Sequence, residues 1–300
     1  MAERPRMATA GMNLPRILDL IESCSQRRVL FVGDSIIDEY QYISPLGKAS
    51  KENIIAVRAG RSESFDGGIA AAAAHARSFC GAVDVFSPGP VTRKTRFVEE
   101  AYVRKLFEIH YEEEPIFKST SLHSNGYDAI VVADFGHGAV TPPMIKQLCL
   151  QDRFLAVCAQ TNSANAGYNL ITKYPRADYV VIDEPEARLA AADRDSPIEE
   201  VIKKLAVGRF GRMIVTHGRA GATGWDSETG FHHCPAFADK VIDTMGAGDA
   251  FFAVTAPMAI NGSLEDLLTI GNAAGAIKTQ IVGHRAHVTK DGLIKFLEGI

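Results

Sequence analysis

The chain has 300 residues, and its 32 Lys and Arg against 36 Asp and Glu leave a formal net charge of -4. Hydrophobic residues at 46% and charged residues at 23% are typical of a globular protein and exclude a disordered chain. The charge balance offers no broad attraction to nucleic acid, and the longest apolar stretches are far short of a membrane span. The five cysteines form no CxxC pair and are odd in number, which favours reduced thiols in a cytoplasmic protein.

Up to residue 114, the predicted elements combine helices and buried strands with two segments of a different pattern. A short apolar run ends in Gly33-Asp34, which is typical of a buried parallel strand that opens into a site loop. Gly67-Gly68 opens an alanine-rich run that favours a helix. In chain order we predict a helix around 14–21, a strand at 29–32, mixed polar and β-branched residues with turns at 39–64, a helix at 69–76, a strand at 83–86 and antiparallel strands at 94–114.

After residue 120 the alternation of strands and helices is regular. Strands are predicted at 129–133, 154–158, 179–182 and 213–216 with helical segments between them, followed by short strands at 221–225 and 230–234. Two helices, at about 247–260 and 264–280, close the chain. Because no internal repeat, low-complexity tract or linker interrupts this order, we predict one α/β domain over residues 1–300 with two β-rich insertions.

The most informative local feature is the sequence Asp-Thr-Met-Gly-Ala-Gly-Asp at 243–249, where an extended segment meets a helix. Glycines let backbone N–H groups turn inward, and a helix N-terminus presents unpaired donors to a phosphate or a developing negative charge. Asp249 lies in the predicted first turn, where a carboxylate can accept a proton from a substrate hydroxyl. The alternative is that Asp249 only complements the helix dipole and the glycines only form a turn, and spacing alone leaves both open.

This motif resembles the DTxGAGD signature of the ribokinase/PfkB carbohydrate kinase family. Other segments match the family in order, and they are residues 33–40, 67–68, 94–96, 134–138, 215–218 with Gly221, and 272–274. The resemblance covers roughly residues 18–289 and is nearest in pattern to the kinase domains of ADP-heptose synthases, which phosphorylate heptose 7-phosphate. It implies a three-layer, ribokinase-like α/β fold with a mostly parallel central sheet and a small β-sheet lid, formed by segments 39–64 and 94–114.

The resemblance also implies roles for single residues. Asp249 would be the catalytic base, and the amides of Gly246, Ala247 and Gly248 would form the anion hole. The sugar would contact Asp34, Asp38, Gly67, Gly68, Lys94, Arg96 and His137. The nucleotide would contact Thr216, Gly218, Gly221, Asp243, Thr244 and Asn272, while Glu186 and Asp183 would serve Mg²⁺. Local alternatives remain open, because Asp38, Thr216 and Asn272 could be caps or turn residues, and Lys94 and Arg96 could be solvated strand charges.

The function implied is ATP-dependent phosphorylation of a hydroxyl group on a sugar or sugar phosphate. ATP and Mg²⁺ would be cofactors, and a monovalent cation is a further candidate. The expected partners are a small-molecule sugar and a second copy of the chain joined through the lid, with no nucleic acid and no membrane. Because the sequence ends at Ile300, no nucleotidyltransferase domain is expected. A nucleotide- or sugar-binding module on the same fold, with little turnover, is the alternative.

The sequence departs from the family pattern in four places. Ala71 stands where the family has an asparagine, and 159–161 replace its Asp-Pro-Lys. Asp183 replaces the Asn of Asn-x-x-Glu, and His137 replaces a lysine. A pocket that has exchanged charged groups for neutral ones should reject the ligand built for them. The sequence therefore predicts that heptose 7-phosphate is not the preferred acceptor, with His137 and Gln160 as compensating residues.

Overall fold

The computed structural model describes residues 12–102, 104–111, 122–238 and 240–300. Its helices are α1 (Leu14–Ser23), α2 (Gly68–Ala76), α3 (Pro142–Cys149), α4 (Glu184–Ala191), α5 (Ile198–Ala206), α6 (Ala247–Met258), α7 (Leu264–Lys278) and α8 (Lys290–Glu298). Its strands are β1 (Arg28–Gly33), β2 (Ser35–Lys48), β3 (Ile55–Gly67), β4 (Ala82–Phe86), β5 (Val91–Glu99), β6 (Arg104–Tyr111), β7 (Ala129–Asp134), β8 (Phe154–Ala159), β9 (Ala177–Asp183), β10 (Phe210–Thr216), β11 (Ala222–Asp226) and β12 (Gly230–Cys234). None of the helices in these ranges has the length and apolar character needed to cross a membrane.

The central sheet has eight strands in the order β12-β11-β10-β9-β8-β7-β1-β4. The strands from β10 to β4 across the sheet are parallel, and β11 and β12 add an antiparallel hairpin at one edge. The sequence of β7, Ala-Ile-Val-Val-Ala-Asp, is buried along its whole length, as expected for a strand covered on both faces.

Helices cover both faces of this sheet. Helices α1, α2, α6, α7 and α8 pack on one face, in a core that includes Phe31 and Phe252. Helices α3, α4 and α5 pack on the other face, with Val32 and Ile202 among the buried residues. This arrangement confirms the predicted three-layer α/β fold with a mostly parallel central sheet.

A separate four-stranded sheet, in the order β3-β2-β5-β6, forms what we call the lid. Strand β2 pairs with β5 in parallel, while the β2–β3 and β5–β6 pairs are antiparallel. The small β-sheet predicted from the sequence is therefore present. Its strands extend past the predicted limits. Strand β2 begins at Ser35, directly after β1, and β3 continues to Gly67, where α2 follows.

One detail of the sequence prediction needs correction, and another lies outside the described residues. A further helix, α8, follows the two predicted C-terminal helices, and its Leu293 and Leu297 are buried in the core. The Thr289 cap and the helical spacing of Leu293, Phe296 and Leu297 are local signals for α8 that the prediction overlooked. Residues 112–114 of the second lid segment lie outside the described residues.

The carboxyl ends of the parallel strands meet at one edge of the central sheet. Asp34 follows β1, Asp134 ends β7 and Gln160 follows β8. Asp183 ends β9 and Thr216 ends β10. In open α/β sheets this edge is where ligands bind, and here β2 leaves it directly to start the lid.

Candidate active site

The glycine loop, residues 243–248, leads into the N-terminus of α6. Gly246 caps the helix with φ of 73°, a left-handed conformation that favours glycine. A Cβ at Gly246 would lie 3.3 Å from Lys278 Cε and 3.5 Å from His284 Cε1, so one side of the loop is closely packed. A Cβ at Gly248 would meet no atom within 4 Å, so the other side is open. The first-turn amides of α6 therefore border free space that an anion can enter.

Asp249 lies in the first turn of α6 and contacts Gln160, which follows β8. The amide Nε2 of Gln160 donates to Asp249 Oδ1. Burial raises the pKa of Asp249 above its ordinary value, against the opposing effects of His284, Gln160 and Lys278. Asp249 is thus a carboxyl group with an elevated proton affinity, held beside the open amides of α6, which is the arrangement that a general base requires.

Cross-strand register on the lid aligns polar side chains in two rows. Asp38 on β2 pairs with Lys94 on β5, and Lys94 pairs with His110 on β6. In the next row, Tyr40 on β2 pairs with Arg96, and Arg96 pairs with Glu108. Because paired residues share one face of a sheet, these six side chains project from the same side of the lid. We call this side the inner face, since Asp38 bonds from it to His284 of the main body.

Asp38 is 4% exposed, and both of its carboxylate oxygens have charged or polar partners. Oδ1 accepts a hydrogen bond from Arg96 Nη1, and Oδ2 lies 3.0 Å from Nε2 of His284. Burial opposes ionisation of Asp38, but the hydrogen bond from His284 and the charge of Arg96 outweigh it and lower its pKa to about 2. A Cβ at Gly67 would overlap Asp38 Oδ2, which explains glycine at that position. Asp38 is a strand residue, not a cap or a turn residue.

Three nitrogen groups between the lid and the main body lack partners among the described residues. Lys94 is 7% exposed, and its ammonium makes no hydrogen bond or ion pair within those ranges. His137 Nε2 and His110 Nδ1 are buried and likewise have no hydrogen-bond partner there. Burial lowers the pKa of His137 to about 4, with further lowering by Lys94 and His110. Burial and Arg96 also lower the pKa of Lys94. An unpaired buried ammonium next to two unsatisfied imidazole nitrogens, which donate or accept according to their tautomer, indicates a ligand site for a negatively charged or oxygen-rich group.

Asp34 holds the loop that carries His137. It is fully buried, and its two carboxylate oxygens accept hydrogen bonds from Phe135 N and Ala139 N, each at 2.8 Å. Burial raises the pKa of Asp34. Gly68 has φ of 57°, and a Cβ there would overlap the Asp34 carbonyl oxygen. The hydrogen bonds of Asp34 are therefore made to backbone amides of the protein. They hold the loop that carries His137 against β1.

The residues predicted for the nucleotide lie along β10, the turn after it, the glycine loop and α7. Gly221 has φ of 97°, and a Cβ there would overlap Cys234 O, so the turn at 218–221 requires glycine. Asn272 is buried and donates to Cys234 O at 3.2 Å, which joins α7 to β12, and to Leu268 O at 3.0 Å within α7. Thr216 is partly buried and Gly218 has φ of 58°. The bonds of Asn272 favour the local, structural alternative for that residue.

Asp243 and Thr244 shape the glycine loop itself. The Asp243 carboxylate accepts from Met245 N at 3.1 Å and from Gly283 N at 2.9 Å. Lys105 of β6 also donates to it at 3.0 Å, which links the lid to the loop. The exposed Thr244 accepts from Ala247 N at 3.3 Å through its carbonyl. These contacts hold the loop in place at the start of α6.

Asp183 and Glu186 form a capping box at the start of α4. Glu186 Oε2 accepts from Asp183 N at 2.9 Å, and Oε1 accepts from Thr161 N at 2.8 Å. Burial raises the pKa of Glu186 to about 8, and the charges of Asp183 and Asp249 add to this effect. Thr161 Oγ1 is buried without a hydrogen-bond partner. The group is an acidic site next to an unsatisfied hydroxyl, at the same sheet edge as Asp249.

Comparison with known proteins gives the family. Residues 127–290 match the profile of the pfkB family carbohydrate kinases, which is more than half of the chain. The chain belongs to the pfkB family of carbohydrate kinases. The DTxGAGD resemblance drawn from residues 243–249 is therefore confirmed.

The relatives of this pfkB kinase are distant. A bifunctional protein HldE of Bradyrhizobium sp. is 25% identical over 306 residues, which cover 86% of this chain and 61% of that protein. The HldE of Citrifermentans bemidjiense is 26% identical over 176 residues, which cover 57% of this chain and 36% of that protein. The chain spans less than two thirds of the length of these relatives. A solved structure of Arabidopsis thaliana ribokinase complexed with ribose and ATP has a TM-score of 0.68 at 16% identity, over 91% of this chain and 99% of that one. This likeness establishes a ribokinase-like fold.

The acidic group on α4 fits the Mg²⁺ that pfkB kinases would use. Mg²⁺ prefers oxygen ligands, keeps several waters and is held by one or two carboxylates together with substrate phosphates. Each oxygen of Glu186 keeps one free lone pair, and the raised pKa of Glu186 reflects a negative environment that a cation would relieve. Within the described ranges, no group of three or more His, Cys, Asp or Glu side chains could hold a metal alone, so the phosphates would have to complete its coordination.

The sequence analysis did not identify three residues of the candidate site, namely Lys278, His284 and His110. Lys278 ends a helix, where a basic residue usually complements the dipole in solvent, so its burial gave no local signal. His110 alternates with apolar residues on a strand, and His284 follows a glycine in a turn, which are unremarkable positions in a sequence. Gln160 was expected to compensate at the sugar, whereas the structure shows it bonded to Asp249.

Proposed function

We propose that the chain catalyses the ATP-dependent phosphorylation of a hydroxyl group on a sugar or sugar phosphate. The observation that carries this proposal is the Asp249 carboxylate in the first turn of α6, beside amides whose outer side is open at Gly248. An anion site and a base on one helix turn are what a phosphoryl transfer to an alcohol needs. The membership of the pfkB family supports the same conclusion.

The steps of the reaction follow from the residues around α6. Asp38, with a pKa of about 2, stays ionised at neutral pH and can accept hydrogen bonds from sugar hydroxyls. The reacting hydroxyl oxygen bonds to the γ-phosphorus while the bond from that phosphorus to ADP breaks, and the proton passes to Asp249. The amides of Gly246, Ala247 and Gly248 would receive the charge that develops on the phosphoryl oxygens.

Glu186 and Asp183 would hold Mg²⁺ through water on the nucleotide side of the same edge. When bound, Mg²⁺ neutralises charge on the phosphates of the nucleotide. Its presence would keep Glu186 ionised, since a nearby cation lowers the pKa of a carboxyl group.

The acceptor itself would carry an anionic group, a phosphate or a carboxylate. Lys94 supplies an unpaired donor on the acceptor side, next to Asp38 on the lid, and His137 and His110 add unsatisfied ring nitrogens beside it. A neutral sugar would leave the buried Lys94 ammonium without a hydrogen-bonded anion, whereas an anionic acceptor would supply one. The changes at Ala71 and 159–161 concern other parts of the pocket and fit an acceptor other than heptose 7-phosphate.

The experiment that tests the kinase activity is ADP release from ATP and Mg²⁺ with pooled sugars, sugar phosphates and sugar acids. We expect wild-type protein to release ADP and the isosteric variant Asp249→Asn to be slower by about 10²- to 10⁴-fold, since it lacks the base. Binding of ATP, measured by calorimetry, should differ little between the two proteins. An Asp249→Asn rate near that of wild type would contradict the base assignment. A wild-type protein that binds ATP yet turns over no acceptor would favour the binding-module alternative.

A further inference from the structure

Lys278, the last residue of α7, is completely buried. Its Nζ donates to Met245 O at 2.7 Å and to Gly283 O at 2.8 Å. No carboxylate within the described ranges lies at ion-pair distance from this ammonium. Buried lysines are rare and normally paired with an acid, so a buried ammonium held by two backbone carbonyls calls for an explanation.

The position of Lys278 relates it to the glycine loop. Met245 directly precedes Gly246, and Lys278 Cε would lie 3.3 Å from a Cβ at Gly246. A loop that turns its N–H groups toward a ligand turns carbonyl oxygens to its opposite side, where their partial negative charges gather. The Lys278 ammonium lies on this carbonyl side, opposite the N–H groups. Its positive charge compensates the partial negative charges of the carbonyl oxygens.

Lys278 is also connected, through Gly283 and His284, to the acceptor side of the site. Gly283, whose carbonyl accepts from Lys278, also donates its N–H to Asp243 and precedes His284. His284 in turn bonds Asp38 on the lid. Burial raises the pKa of Asp249, and the charge of Lys278, together with His284 and Gln160, opposes this rise. One side chain thus connects the glycine loop, the base and the partner of Asp38.

Backbone carbonyl oxygens are also the ligands with which proteins replace the hydration shell of K⁺. We propose that Lys278 is a tethered cation that takes the place of a bound monovalent ion behind the glycine loop, and that it positions this loop for the kinase activity proposed above. The monovalent cation considered from the sequence does not fit here, because the Met245 and Gly283 carbonyls are already bonded to Lys278. The kinase therefore needs no potassium or ammonium ion at this site.

The test compares wild type, Lys278→Ala and Lys278→Met in chloride salts of potassium, ammonium, sodium and choline at equal ionic strength. Lys278→Ala removes the charge and leaves space for an ion, while Lys278→Met removes the charge and keeps the space filled. We expect wild-type turnover to vary less than about twofold between salts. In choline, Lys278→Ala should lose about 10²-fold in kcat, because a displaced anion hole misaligns the phosphoryl group. Potassium or ammonium should restore it at least tenfold, and should not restore Lys278→Met.

A second measurement does not depend on turnover. Potassium should raise the unfolding temperature of Lys278→Ala by about 2 °C or more relative to choline, and should leave that of wild type unchanged. Lys146→Ala, on the exposed side of α3, is the control and should show no ion dependence. Strong activation of wild type by potassium would overturn the proposal, and so would a folded Lys278→Ala that gains neither stability nor turnover from any ion. If wild type lacks turnover in every salt while the ion-dependent stabilisation is found, the kinase proposal fails and the tethered cation stands.

Discussion

Asp249, the proposed base on α6, contacts a residue that follows a strand of the central sheet. Gln160 follows β8, donates to Asp249 Oδ1 and opposes the effect of burial on the Asp249 pKa. Asp249 therefore combines a raised pKa, which strengthens it as a base, with a hydrogen bond that keeps the rise limited. Gln160 stands in a segment that departs from the family pattern, and its contact with Asp249 places that departure next to the proposed base.

At the residue scale we predict that Gln160→Ala moves the acid limb of the kcat/KM profile to higher pH. The variant loses a donor that stabilises the ionised carboxylate, so the Asp249 pKa rises and kcat/KM below neutral pH falls about tenfold. Gln160→Glu adds a negative charge and should move the limb further in the same direction. Gln151→Ala, a glutamine at the end of α3, serves as the control. Acid limbs that coincide in wild type and Gln160→Ala would contradict this contact.

At the scale of elements, the lid has two different faces. Its inner face carries the polar rows that begin at Asp38 and Tyr40. On the outer face Phe97 and Phe107 stack with ring centroids 4.4 Å apart, and Phe107 is 51% exposed. Nothing in the described part of the chain covers this face. Ile43 of β2 is buried, so the exposed apolar area does not extend over the whole lid.

We predict that the lid forms a two-fold dimer interface, because a thin sheet with an exposed apolar face is stabilised by burying it against a second copy. Light scattering at micromolar concentration should give the mass of a dimer. Phe107→Glu should give a monomer, since it places a charge on the apolar outer face. Leu150→Glu changes an exposed leucine of the main body and should remain dimeric. A wild-type monomer would exclude the lid interface.

At the scale of the whole molecule, the proposed acceptor pocket would lie between the lid and the main body. Lys94 and His110 come from lid strands, whereas His137 comes from the loop after β7 that Asp34 fixes. Lys105 on β6 and His284 after α7 add contacts across the same boundary. Movement of the lid therefore changes the distance between the donors that would hold the acceptor.

We predict that kcat/KM is at least tenfold higher for sugar phosphates or sugar acids than for the matching neutral sugars, and that heptose 7-phosphate does not rank first. A charge-assisted hydrogen bond contributes about 1.5–3 kcal/mol, which corresponds to roughly tenfold or more. Lys94→Met should remove this preference mainly through KM, while the exposed-site control Lys146→Met should keep it. Equal kcat/KM for neutral and anionic acceptors would contradict the anion site. A wide lead for heptose 7-phosphate would show that the changes at Ala71 and 159–161 do not alter specificity.

The sequence by itself determined the order of the elements and the family. The apolar run of β7 and the alanine-rich α2 are local patterns set by side-chain burial and helix propensity, so they can be recognised without the fold. The motif at 243–249 is equally local, because its glycines and its aspartate lie within one turn of the start of α6. Helix α8 also carries local signals, a Thr289 cap and buried Leu293 and Leu297 at helical spacing, so its omission was an error of the prediction and not a limit of the sequence.

Only the tertiary structure decided which side chains meet. His284 and Asp38 are 246 positions apart, and Lys278 and Met245 are 33 apart, so no local spacing predicts their bonds. The pairing register of the lid strands places Lys94 beside Asp38. The alternation of side chains along a strand predicts which face a residue occupies, but not its partner on the next strand. Burial, which depends on the packed molecule, turned Lys278 from an ordinary helix-end charge into an internal cation. Charge and hydrogen bonding in a packed site depend on distances between remote parts of the chain, and those distances exist only once the layers and the lid are assembled.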